Sequence, residues 1–235
     1  ARQRRAVPGG DGLMDALADG DAGLTFLQLV DSAFPTGAFA HSGGLEAAVQ
    51  LGELSADDLD GWCRRLLDQL AASQLPFVVA AARGDDDLAV LDRHCDALTL
   101  NHVARRAATT QGQALLHAAA AIDPAAARLR ARVRSERLPG HLAPMTGAVA
   151  QALGLGAEHA ALWFATTQVR GWLSAAVRLS LIGPLAAQRM QRDLHPALRA
   201  ALAAPRDWRD ATTIDPLPDL CQGQHDRLTG RLFNT

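Results

Sequence analysis

The sequence predicts an all-α protein, a single compact helical bundle of about eight to ten helices. Three observations carry that expectation. Alanine supplies much of an apolar content of 49% while aromatic residues reach only 4%. Alanine has the highest intrinsic helix propensity, whereas strands favour aromatic and β-branched side chains. Apolar residues recur at three- and four-residue spacing over long windows, and no alternation of strand-like and helix-like runs marks a parallel sheet. At 235 residues the chain can bury a substantial core.

Residues 1–22 are rich in Gly, Asp and Arg without sustained periodicity, so they are expected to form a flexible arm. A helical domain is expected over 23–206 and a partner-docking tail over 207–235. The first helix is predicted near Leu24 to Phe34, because Pro35 disfavours helical backbone before it. A short helix follows from Leu45 to about Gly52. Ser55 and Asp58 have the spacing of a capping box, with Asp in place of Glu, and Leu59, Trp62, Leu66, Leu67 and Leu70 form one apolar face behind it. Pro76 interrupts, and Gly84-Asp85-Asp86-Asp87 marks a loop whose carboxylates suit the next helix N-terminus.

From Leu88 to about Ile122 the pattern is helical in two segments, and Asp123-Pro124 opens another helix with Pro at its first position. Pro139-Gly140 and Pro144 are expected to break it. The longest helix should follow Gly154 and Gly156. Leu162, Trp163, Val169, Trp172, Leu173, Ala176, Val177 and Leu179 cover most of its circumference, which predicts a central, buried position. Gly183-Pro184 ends that pattern, and a further helix runs to about Leu194.

Charge and cysteine content exclude several classes of function. The formal net charge is −2, which gives no global attraction to nucleic acid or to an anionic membrane. The chain contains no Lys, so a P-loop lysine, a Schiff base and a lysine general base are all absent. Cys63, Cys95 and Cys221 are too widely spaced for a CxxC zinc site or a disulfide framework and fit a reducing compartment. No secretory apolar region follows the basic Ala1–Arg5 stretch, and no apolar run approaches membrane-spanning length. A cytoplasmic protein is expected.

The densest local signal is the segment from Phe34 to Glu46, which holds Pro35, Gly37, His41, Ser42, Gly43 and Gly44 just before a helix resumes. Two chemistries can use it. Ser42 sits in a small-x-Ser-x-Gly context like that of a serine-hydrolase elbow, but such an elbow needs a preceding strand and a parallel sheet. Otherwise Ser42 is the N-cap of the following helix, with Leu45 and Glu46 in its first turn. Possible metal ligands, His94-Cys95 with His102 and Cys221 with His225, occur only in twos and threes, short of a strong site. Arg128, Arg130, Arg132 and Arg134 alternate between two sides of a helix, which suits solvation better than a nucleic-acid stripe. After Pro216 and Pro218, the last residues include Arg231, Leu232 and Phe233. They read either as solvated chain or as a docking peptide with Phe233 as anchor and Arg231 beside it.

Three stretches in order resemble the urease accessory protein UreF family. They are Leu27-Gln28-Leu29 through Pro35-Thr36-Gly37 and His41-Ser42-Gly43-Gly44-Leu45-Glu46, then Ser174–Leu179 with Gly183 and Gln188-Arg189, then His225-Asp226 with Arg231-Leu232-Phe233. Gln111-Gly112 matches a weaker mid-chain feature, and the resemblance spans about residues 24 to 235. Departures are His41 and Thr229 where relatives often carry Tyr, Ala38 for Gly, Arg178 for Lys and Gln224 for Arg.

The resemblance implies an all-helical, dimer-forming, non-enzymatic accessory protein. It would bind a second accessory protein, UreD (also called UreH), and recruit the GTPase UreG to apo-urease. Nickel is implied only through that pathway, with no cofactor held tightly. The candidate partner-binding residues it carries over are Pro35, Gly37, His41, Ser42, Gly44, Glu46, Arg178, Gln188, Arg189, His225, Arg231, Leu232 and Phe233. A hydrolase using Ser42, or a helical module with an unrelated partner, remain the alternatives.

Overall fold

A computed structural model of the chain describes residues 21–203 and 206–235. Residues 1–20 of the expected arm lie outside the described residues, and Asp21 and Ala22 open the first helix. Twelve α-helices and no strand occur among the described residues. They are α1 (Asp21–Val30), α2 (Leu45–Gln50), α3 (Leu59–Ser73), α4 (Leu75–Arg83), α5 (Leu88–Leu98) and α6 (His102–Ile122). They continue as α7 (Pro124–Ser135), α8 (Leu142–Ala152), α9 (Ala157–Arg178), α10 (Pro184–Asp193), α11 (His195–Ala203) and α12 (Pro216–Gly223).

The count exceeds the expected eight to ten because a further helix, α11, follows the break at Leu194 and α12 is a short helix in the tail. Local chemistry explains most boundaries. Asp87, Asn101 and Asp123 cap α5, α6 and α7 by accepting backbone N–H groups of the first turn. The first helix stops at Val30, short of Phe34, because Asp31 Oδ1 takes the Ala33 N–H at 2.7 Å and turns the chain. Ser55 and Asp58 do not form the expected capping box. Ser55 Oγ donates to the Asp58 carboxylate at 2.5 Å, and the helix begins only at Leu59, so Ser55 lies outside the capping position. Pro144 does not break a helix either. It sits in the first turn of α8, where its missing N–H has no helical partner to lose.

The long α9 is the central element, as its all-round apolar pattern predicts, and it packs on α1, α3, α4, α8, α10 and α11. Helices α4 and α8 meet most extensively. Gly147 permits that approach, since a Cβ there would lie 2.2 Å from the Val78 carbonyl oxygen. No helix among the described residues is long and apolar enough to cross a membrane. Distant stretches meet through polar contacts at several places, such as buried Asp92 with the Gly140 and His141 N–H groups and Arg65 with Asp215, and a dense set of them joins α2 to the residues after α12.

Candidate partner-docking site

The segment from Pro35 to Glu46 is shaped by two reversals. Gly37, at φ 72°, enters a single 3-10 turn over Ala38–Ala40. Gly44, at φ 90°, occupies the position before α2, a backbone conformation that L side chains rarely adopt. A Cβ at Gly44 would lie 3.1 Å from Gln222 Cβ and 3.3 Å from the Pro218 carbonyl oxygen, so the glycine also admits α12. Ser42 is therefore not the N-cap. The Ser42 hydroxyl is fully buried, donates to the Thr235 carbonyl oxygen at 3.2 Å and accepts the Glu46 N–H at 3.4 Å.

Glu46 is the centre of the junction. Its side chain is 1% exposed, deep in the first turn of α2 between buried Leu45 and Ala47. Oε1 accepts the Leu232 N–H at 2.6 Å, while Oε2 accepts the Phe233 N–H at 3.2 Å and the His225 imidazole at 3.0 Å. A carboxylate only accepts, so His225 Nε2 carries the proton, and its Nδ1 is buried without a partner. Around this clamp the Asn234 N–H donates to the Ala40 carbonyl and the Ser42 N–H to Thr235. Gln50 Nε2 donates to the Gly230 carbonyl at 2.7 Å, and His41 Nδ1 pairs with the Thr235 hydroxyl. Burial holds the His41 imidazole below its ordinary value, with the charge of Arg106 and the neighbouring His225 adding to the effect.

Arg178, in the last turn of α9, ties both stretches together. Its guanidinium lies 4.0 Å from the ring centres of Phe39 and of Phe233, and it donates to the Phe39 and Leu232 carbonyl oxygens. Aromatic faces attract such a cation, and its planar fork suits two acceptors at once. On the far side, Asp226 receives Arg106 bidentately at 2.7 and 3.1 Å and His102 at 3.2 Å, with Arg231 at 3.6 Å. The hydrogen bonds from Arg106 hold the Asp226 carboxyl down at about 2.

The structure thus gathers residues of all three resembling stretches, among them Glu46, Arg178 and Phe233, into one junction. It also sorts the candidates by exposure. Pro35 and Gly37 lie on the exposed loop beside Phe39, which is 70% exposed. Arg231 and Leu232 face outward, Leu232 at 59% exposure. Ser42, Gly44, Glu46 and His225 are buried inside the junction. Phe233, expected as an anchor in a partner, is only 5% exposed and anchors within its own chain. Gln188 and Arg189 lie exposed on α10, which packs on α9 and α11, and make no hydrogen bond to the strap of residues 228–235. Arg106, Phe39, Gln50 and Asp226 were missed as site residues. Asp226 lies within the third resembling stretch, and Phe39, an exposed aromatic in a Gly-rich loop, carried a local signal.

The other candidate chemistries find no assembly. No imidazole hydrogen-bonds to Ser42 among the described residues, and its hydroxyl is spent on backbone groups. His94 packs its ring on Phe77 and Trp208 and His102 pairs with Asp226, so they do not join Cys95. Among the described residues no three His, Cys, Asp or Glu side chains gather to hold a metal ion. A cavity of about 310 Å³ lies behind the junction, between α6, α9 and α12, and is bordered by His41, Gln111, Trp172, Asp219 and Phe233. Burial raises the Asp219 carboxyl above its ordinary value.

Comparison with known proteins points to the same family. The UreF family model matches residues 54–195. Urease accessory protein F of Arabidopsis thaliana is 36% identical over 215 residues, covering 88% of this chain and 90% of that protein. Urease accessory protein UreF of Mycobacterium marinum is 35% identical over 213 residues, covering 88% and 96%. The protein of that name from Paenarthrobacter aurescens is 30% identical over 215 residues, covering 89% and 96%.

Proposed function

Because the chain belongs to the urease accessory protein UreF family, we propose that it acts as a non-enzymatic scaffold of urease maturation. In this reading it binds UreD (UreH) and recruits the GTPase UreG to apo-urease in the cytoplasm, as a dimer within the complex. Nickel is the cargo of that assembly, and this chain organises the proteins around it without holding the metal tightly.

The observation that carries the reading is the composite face at the junction. Phe39, Arg178 and Leu232 come from three distant stretches and present an aromatic ring, a guanidinium and an aliphatic side chain together, while Arg231, next to Leu232 in the chain, is exposed beside Asp226. Exposed aromatic and Arg side chains set around a rigid polar frame are the composition that dominates protein interfaces. The buried residues beneath, Glu46, His225 and Phe233, make that face rigid, and rigidity lowers the entropy lost on binding.

The double substitution Arg231→Ala with Leu232→Ala removes two exposed side chains and leaves the clamp's backbone donors in place. Co-purification with UreD and urease activation should both be lost while the melting temperature stays near that of the native protein. Normal co-purification and activation by this variant would remove the strap from the docking surface.

A further inference from the structure

The family resemblance places Glu46 among residues that touch a partner, yet its side chain is 1% exposed and cannot reach one. All three of its side-chain hydrogen bonds come from residues 179 to 187 positions later, at His225, Leu232 and Phe233. None comes from the bundle that surrounds it. Burying a carboxylate among apolar side chains is costly unless donors satisfy it, and here every such donor belongs to the last eleven residues. Releasing the last eleven residues together would strand the carboxylate and leave His225 with neither ring nitrogen paired. Two consecutive backbone N–H groups converge on its two oxygens, so the strap's backbone direction is set at Leu232, the residue whose side chain faces outward. Arg178 holds the other side of the same peptide through the Leu232 carbonyl.

We infer that Glu46 is the positioning residue of the strap, fixing the backbone at Leu232 and Phe233 so that Arg231 and Leu232 are presented in one orientation. The inference rests on the docking function proposed above for the partner's side of the contact, but its physical content concerns the free chain. Donors and carboxylate are satisfied together or not at all, so the strap has a seated and a released state. Glu46 sets the balance between them.

Trypsin reads that balance directly, because the Arg231–Leu232 bond ends at the N–H that Glu46 holds, whereas Arg137–Leu138 lies in a turn after α7. In full-length Glu46→Ala, cleavage after Arg231 should accelerate by roughly tenfold or more relative to cleavage after Arg137, the scale set by losing hydrogen bonds to a charged group. Glu46→Gln keeps the volume and one good acceptor. It should show the same pattern with a smaller factor, and it carries the test if the alanine variant does not fold. Unchanged cleavage after Arg231, or equal acceleration at both bonds, would overturn the inference, since the second outcome is what a merely structural residue produces. The same variants are then mixed with UreD. If the strap opens and capture is lost, both readings stand. If it opens and capture persists, the positioning role stands and the docking function falls.

Discussion

Where α4 meets α8, the chain closes on small residues, with Gly147 against the Val78 carbonyl and Ala81. Where the strap meets α2, it closes on a buried carboxylate, an imidazole and a guanidinium stacked between two rings. The first contact gains from many weak dispersion contacts and from apolar burial, so it fails only as a whole. The second depends on a few directional bonds between residues nearly two hundred positions apart, so it can open while the bundle stays folded. Stability sits in one region and adjustability in the other, and the exposed candidate residues lie at the adjustable one.

The contrast breaks most severely at the helix pair. Gly147→Leu forces a branched side chain into a gap where even a Cβ clashes with backbone, so a loss of about 3 kcal/mol or more of global stability is expected in denaturant unfolding. Arg178→Ala should act only on the other region. It removes two ring contacts and two hydrogen bonds, loosening the strap by about 1–3 kcal/mol in tryptic cleavage after Arg231 while the unfolding midpoint moves little. Arg178→Lys keeps the charge but loses the planar fork and should fall between the two.

Acid sharpens the same distinction. Burial holds the His41 imidazole below 6.5, so the unfolded chain takes up this proton first. Strap stability is then full above that value and declines as pH falls through it, until the folded imidazole is itself protonated. Asp226 titrates at about 2, against an ordinary 3.8, so its contribution persists to lower pH and disappears between those two values. Strap amide chemical shifts followed from pH 8 to pH 5 should therefore move before any signal from α4 or α8. The smallest effect belongs to the exposed Asp60–Arg64 pair within α3. Asp60→Asn should change unfolding free energy by no more than about 0.5 kcal/mol.

How far the sequence was legible follows the same division. The all-α class, the buried α9, the Asp123-Pro124 helix start and the split between α5 and α6 all rest on local periodicity and capping, and the structure reproduces them. Ser55 and Asp58 misled because the spacing of a capping box does not say where the helix begins, and α3 starts only at Leu59. Pro144 misled because a first-turn proline and a helix-breaking one look alike without the boundary. Glu46 was the hardest to place. An acidic residue in a helix's first turn ordinarily faces water, and nothing local reveals that its donors arrive from Leu232 and Phe233. The three resembling stretches were visible one by one, but their convergence on Arg178 and Glu46 is a property of the fold.

Amide hydrogen exchange on the free, full-length protein tests the central claim most directly. With Glu46 holding their N–H groups, Leu232 and Phe233 should exchange at least about tenfold more slowly than an unstructured chain and more slowly than Arg231. Exchange of all three at the unstructured rate would mean that the strap is not seated on α2, and the composite docking face would not exist in the free protein.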